Sequence, residues 1–112
     1  MTSTQRTKPV TEIRCPYEKS IHILGDKYAL LILRDIYLKN TPLRFNELLH
    51  NLRPMSSKTL SAKLKDLTGH DILKKTIVST TPIVVTYEFT EKGRDLTSLL
   101  DRMADWSRKW YN

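Results

Sequence analysis

Cysteine is almost absent: Cys15 stands alone in 112 residues. That excludes an intramolecular disulfide framework and a cysteine-rich zinc site. There are only three glycines, too few and too scattered for a glycine-rich phosphate loop. Apolar runs are short. The longest, Ala29 to Leu33, falls far below the roughly 20 residues of a membrane span. The opening stretch, Met1 to Glu12, is polar and offers no apolar core for a signal peptide. Acidic residues are also scarce, 12 against 19 Lys and Arg, for a formal net charge of +7. The expectation is a soluble cytoplasmic protein whose partner is a polyanion.

Other classes find little support. No nucleophile–base pair, carboxylate pair or metal-ligand cluster stands out, so no enzyme, cofactor or metal is expected. His22, His50 and His70 show no ligand spacing with Cys15 or a carboxylate. No basic amphipathic terminal helix or apolar anchor suits a membrane surface.

What is present is a globular mixture, 39% hydrophobic and 28% charged, enough for one domain with one modest core. The positive charge is localised. Residues 53–75 carry Arg53, Lys58, Lys63, Lys65, Lys74 and Lys75 against Asp66 and Asp71, a net of +4. Residues 76–112 are neutral. Such a patch faces either phosphate or only solvent; charge alone does not choose.

Periodicity and punctuation divide the chain. Residues 1–14 read as a mobile arm containing Arg6, Lys8 and Arg14. Cys15-Pro16 opens a first helix, with Pro where its missing N–H costs nothing; Tyr17, Ile21 and Leu24 are its apolar positions. Gly25 ends it and Asp26 caps a second helix, about 27–39, apolar almost all round and so central to the core. After Asn40-Thr41-Pro42, Leu43-Arg44 is a short extended piece. Phe45 to Leu52 forms a short helix with Asn46 as its cap, and Arg53-Pro54-Met55 breaks it. Ser56 caps a helix over about 56–68, with Leu60, Leu64 and Leu67 as a buried stripe. At 100° per residue, Lys58, Ser61, Ala62 and Lys65 point away from that stripe. A hairpin follows, Ile72 to Ser79 and Ile83 to Phe89, with its tip at Thr80-Thr81-Pro82. It has no charge between Thr76 and Tyr87. Thr90 caps a last helix over about 91–110, on which Leu96, Leu99, Met103, Trp106 and Trp110 step by 3, 4, 3, 4 like a coiled-coil seam.

Two short helices joined by a tight break, the second basic outside and followed by a hairpin, make a winged helix-turn-helix. The architecture is mainly α with a small β-hairpin wing over about 72–89. The capped start of the helix at 56–68 aims N–H groups at phosphate. Lys58 and Lys65 can donate to guanine or phosphate, Ser61 can bond either kind of edge, and Ala62 fits a thymine methyl. The partner is then double-stranded DNA. The alternative is a winged helix used as a protein–protein interaction module without specific DNA binding.

Several motifs in order resemble the HxlR-type regulators, relatives of the MarR group. They are Cys15-Pro16, Gly25-Asp26-Lys27-Tyr28, Leu30 to Asp35, Arg44-Phe45-Asn46-Glu47-Leu48, Ser56 to Leu67 and Tyr87 to Gly93. The resemblance implies a domain over 15–112 and a prokaryotic homodimeric transcriptional regulator reading a pseudo-palindromic operator. The dimer would form through the N- and C-terminal helices, with the 91–110 helix and its seam at the interface. Carried over by position, Ser57, Lys58, Ser61, Ala62 and Lys65 would read the major groove. Arg44, Asn46, Thr59 and Lys63 would mainly contact phosphate.

The chain departs from that pattern at four places. Asp26 and Tyr28 replace the usual Gly and Trp. Ser57 stands where Pro is common, and Asp71 where Gly is frequent, a position Asp tolerates in a left-handed conformation. Val84 stands where the wing often has Arg, which weakens the expected wing–backbone contact.

Cys15 at a helix N-terminus gains reactivity, and in some members of this family the equivalent cysteine senses oxidants or electrophiles. With no second cysteine, sensing would need an intersubunit or mixed disulfide or direct alkylation. Equally, Cys15 suits a small buried residue at a dimer junction. Trp106 and Trp110 fit packing across a dimer, or the lining of a pocket for a small-molecule effector.

Overall fold

The computed structural model describes residues 9–111. Residues 1–8 of the expected arm, with Arg6 and Lys8, lie outside the described residues. The rest of that stretch is not a free arm. Val10–Glu12 forms a single tight turn, closed by Glu12 N–H donating to Pro9 O at 2.9 Å, and it packs on the first helix. Ile13 is buried, 5% exposed. One apolar side chain is enough to dock the turn, a signal too small for periodicity to register.

Helix α1 spans Pro16–Leu24 and α2 spans Lys27–Lys39. Asp26 caps α2 as expected, its Oδ1 accepting from Tyr28 N–H at 2.7 Å. Ala29, Ile32, Leu33 and Ile36 of α2 are buried, and α2 touches α1, α3, α4 and the sheet. That is the central position its all-round apolarity requires. Asn40 ends it in a left-handed conformation, φ 54.

Strand β1 (Leu43–Arg44) leads into α3 (Phe45–Asn51). The expected cap at Asn46 is corrected here. Arg44 is the residue before the helix, and its N–H donates to Glu47 Oε1 at 2.8 Å. Glu47 reaching back to that N–H starts α3, so Asn46 is left inside its first turn, exposed.

Helix α4 covers Ser57–Gly69. Ser56 Oγ accepts from Thr59 N–H at 3.1 Å, and Leu60, Leu64 and Leu67 are each no more than 1% exposed. Burying one such side chain is worth about 1.5–3 kcal/mol, so this stripe fixes the rotation of α4 about its axis. Asp71 turns the chain at φ 61, within the small left-handed region that Asp tolerates.

The hairpin pairs β2 (Leu73–Thr80) with β3 (Ile83–Phe89), and β1 adds to the other side of β3, all antiparallel. Leu43 lies opposite Tyr87, and Leu73 opposite Phe89. A register shift between Ile77 and Ser79 leaves Val78 as the extra residue on β2. Ile77, Val78 and Ile83 are exposed on this uncharged wing.

The expected continuous helix over 91–110 is divided. Helix α5 is Glu91–Arg94 and α6 is Thr97–Trp110. Between them Leu96 N–H bonds Gly93 O at 2.9 Å, a tightened turn. Two demands meet there. Gly93 is pressed so closely on the start of the hairpin that a Cβ would lie 2.0 Å from Ile72 O. Leu96 and Leu100 pack on the core, while Leu99, Met103, Trp106 and Trp110 are exposed. Leu96 is therefore set apart from the other four seam residues by the turn. Among the described residues, no helix is long and apolar enough to cross a membrane.

Candidate nucleic-acid interface

Helices α3 and α4, joined through residues 52–56, form the helix-turn-helix. Leu48 and Leu52 on one side, and Leu60 and Leu64 on the other, share the core cluster with α2. Because the stripe locks α4, its opposite face is obligatorily outside. Ser57, Lys58, Ser61, Ala62 and Lys65 are all exposed there. Further along the same helix, Ala62, Lys65, Asp66, Gly69 and His70 line a shallow groove of about 390 Å³.

The N-terminus of α4 is polar and specific in its bonding. Ser56 Oγ accepts from Thr59 N–H and donates to Thr59 Oγ1 at 3.0 Å. Thr59 is half-buried, its hydroxyl engaged by the cap. Lys63 is half-buried as well and is bound to Asp26. Of the residues linked to this interface by resemblance, Thr59 and Lys63 are thus turned to internal bonds, whereas the outward five are not.

Arg44 and Asn46 come from the β1–α3 junction and are both exposed. Together with Phe45 and Glu47 they face Ile83, Val84 and Val85 of the wing across an open groove of about 500 Å³. Arg44 lies opposite Thr86 in the ladder, so strand pairing is what brings this cation beside the wing. Val84 lines the apolar side of that groove.

Three exposed cations were legible only as part of the charge surplus: Arg53 in the helix-turn-helix break, and Lys74 and Lys75 at the base of β2. The +4 count over residues 53–75 was their signal. The Asp26–Lys63 pair had none, since a separation of 37 residues lies beyond any local pattern.

The exit from α4 is pinned from the C-terminal side. Thr90 Oγ1 donates to Asp71 O at 2.6 Å and accepts from Gly93 N–H at 2.9 Å. Lys92 Nζ donates to His70 O at 2.8 Å. These bonds tie α5 to the end of α4 and the base of the wing.

Cys15 is the residue before α1; it is exposed, and its side chain makes no capping bond. Nearby on α1, Tyr17 and Ile21 are exposed, 81% and 66%. Among the described residues, no group of three His, Cys, Asp or Glu side chains gathers as a metal site would require.

Comparison with known proteins agrees with this geometry. The family model described as HxlR-like helix-turn-helix matches residues 23–112. The HTH-type transcriptional regulator YvaP of Bacillus subtilis is 32% identical over 97 residues, covering 86% of this chain and 88% of YvaP. The HTH-type transcriptional regulator YodB of the same organism is 32% identical over 94 residues, covering 83% and 82%. Superposed on the reduced form of YodB, the chain gives a TM-score of 0.74 at 29% identity over 89% of its length and 97% of YodB. A MarR-family transcriptional regulator of Porphyromonas gingivalis gives 0.79 at 28% identity, covering 92% and 99%. YodB has also been solved after diamide treatment. The family match spans the helix-turn-helix, the wing and α6 together, and on it the chain belongs to the HxlR-like helix-turn-helix family of DNA-binding transcriptional regulators.

Proposed function

We propose that this regulator binds a pseudo-palindromic operator as a homodimer, with α4 of each subunit in a major groove. The observation that carries this is the outward face of α4, where Ser57, Lys58, Ser61, Ala62 and Lys65 are exposed together beside a capped helix N-terminus. Ser61, Ala62 and the two lysines meet base edges and flanking phosphates. Arg44 and Asn46 contact the backbone across the groove from the wing. Thr59 and Lys63 serve mainly by holding α4 in place, through the Ser56 cap and Asp26. The uncharged wing adds little electrostatic affinity.

The homodimer reading rests on apolar surface left open. On α1 it is Tyr17 and Ile21; on α6 it is Leu99, Met103, Trp106 and Trp110, followed by Tyr111. Apolar side chains left open on two helices in this way suit an interface, and a twofold axis would place two copies of α4 about one DNA turn apart. The regulator works in the cytoplasm on nucleoid DNA and answers to an effector. Cys15 gives it a redox or electrophile response: it is exposed beside the α1 patch, and its relative YodB is known in reduced and diamide-treated forms.

The test is duplex affinity measured against salt on DNA from the promoter beside its own gene. Each phosphate-neutralising lysine should contribute about 0.9 to the log–log slope, so Lys58→Ala and Lys65→Ala should each flatten it. A flat wild-type slope would refute the DNA reading. It would leave the protein-docking alternative, which the exposed Ile77, Val78 and Ile83 of the wing favour. For Cys15, the same assay with diamide should change wild-type affinity and leave Cys15→Ser unchanged.

A further inference from the structure

Where α2 ends, β3 ends and α5 gives way to α6, the chain forms an open cavity of about 360 Å³. Small-molecule sites typically measure about 300–1,000 Å³. Its apolar floor is Ile36 and Phe89, buried, with Tyr37, half-buried, while exposed Asn40 and Thr41 line one side. The rim carries two opposite charges, Glu88 from β3 and Arg94 from α5. Neither has an ion-pair partner among the described residues. Lys74 stands opposite Glu88 in the β2–β3 ladder without closing such a pair. An acid and a base thus look onto one apolar floor and do not neutralise each other.

We propose that this cavity binds a small zwitterion with an apolar body, an apolar α-amino acid being the simplest case. The planar guanidinium of Arg94 takes a carboxylate through two parallel N–H bonds. The Glu88 carboxylate takes the ammonium, and the apolar body covers Ile36, Tyr37 and Phe89. A plain carboxylate or a plain amine would engage only one of the two charges and forgo the other's charge-assisted bonds.

Position gives the site a consequence. Thr97, the first residue of α6, lines the cavity, and Tyr37 of α2 donates its hydroxyl to Asp101 of α6 at 2.8–2.9 Å. An occupant touches the DNA-binding core and the base of α6 at once, so it selects the α6 orientation that closes on it. That regulatory consequence rests on the homodimeric reading above; the binding itself does not.

Calorimetry on the full chain without DNA tests the site, with L-phenylalanine, 3-phenylpropionate and phenethylamine as probes. Phenylalanine should bind saturably and at least about tenfold more tightly than either probe lacking one charge. Arg94→Met should reduce phenylalanine affinity by about tenfold and leave phenethylamine unaffected. Glu88→Gln should do the converse, sparing 3-phenylpropionate. No saturable binding of phenylalanine up to about 10 mM, equal affinity for all three probes, or an Arg94→Met protein that binds like wild type would each overturn the proposal. The three-probe comparison needs only the wild-type protein. Because DNA is absent, failure here leaves the operator reading standing, and a flat salt slope leaves this site standing.

Discussion

Lys63 of α4 is bound to Asp26, the residue that starts α2. One carboxylate therefore does two jobs: Oδ1 caps α2 through Tyr28 N–H, and Oδ2 holds α4. Burial alone would push the Asp26 carboxyl up. The bond from Lys63, with that from Tyr28 N–H, outweighs it and holds the group below its ordinary value of 3.8. A residue outside the helix-turn-helix thereby braces α4.

Asp26→Asn should keep the cap, because Asn caps as well as Asp, while losing the ion pair. For a half-exposed pair that costs about 0.2–1 kcal/mol. Asp26→Ala should cost about 1 kcal/mol more through the lost cap. Urea denaturation with a double-mutant cycle against Lys63→Met measures the coupling; a value of zero would show that the pair holds nothing. The pH dependence has a definite sign. A lowered folded-state pKa means that the unfolded chain binds the proton first, so the contribution is complete above the ordinary value of 3.8 and disappears as pH falls through the folded value. The Asn variant should lack that part of the acid loss.

Gly93 and Gly69 should respond oppositely to alanine. At Gly93 the new Cβ would lie 2.0 Å from Ile72 O, a backbone atom, and overpacking of that kind costs about 1–3 kcal/mol. At Gly69, in the last turn of α4, a Cβ meets nothing within 4 Å, and alanine should stabilise by about 0.4–1 kcal/mol. Thermal melts of the two variants would decide it. A Gly93→Ala protein as stable as wild type would contradict the close approach of α5 to the hairpin.

Trp106 and Trp110 are 60% and 64% exposed, so replacing both by alanine removes little of the chain's own core. The double variant should keep its helical circular dichroism and sediment as a monomer, where the proposed homodimer predicts a dimer for the wild type. An unchanged dimer would move the interface off the apolar face of α6.

Much of this architecture was legible because its causes are local. Ser56, Asp26 and Thr90 cap helices through their own backbone neighbourhood, and Leu60, Leu64 and Leu67 announce a buried stripe by spacing alone. The Asn46 cap misread a local contest: the Glu47 carboxylate three residues into α3 captured the Arg44 N–H, which placed the cap two residues earlier. The helix over 91–110 misread a distant one. Its periodicity continues without interruption, but Ile72, far earlier in the chain, leaves so little room at Gly93 that the helix tightens and restarts.

By itself the sequence determined most of the helices and both hairpin strands, which face of α4 is apolar, and that the positive charge gathers around that helix. These follow from side-chain spacing, caps and charge count, all short-range properties. Only the tertiary structure decided which cations stay free. It drew Lys63 inward to Asp26 and left Lys58 and Lys65 outside. Pairing β1 with β3 set Arg44 beside the wing, and bringing Glu88 and Arg94 to Ile36 and Tyr37 of α2 made a cavity. Each joins residues distant in the chain, and their meeting is settled by how the core packs rather than by any pattern along the backbone.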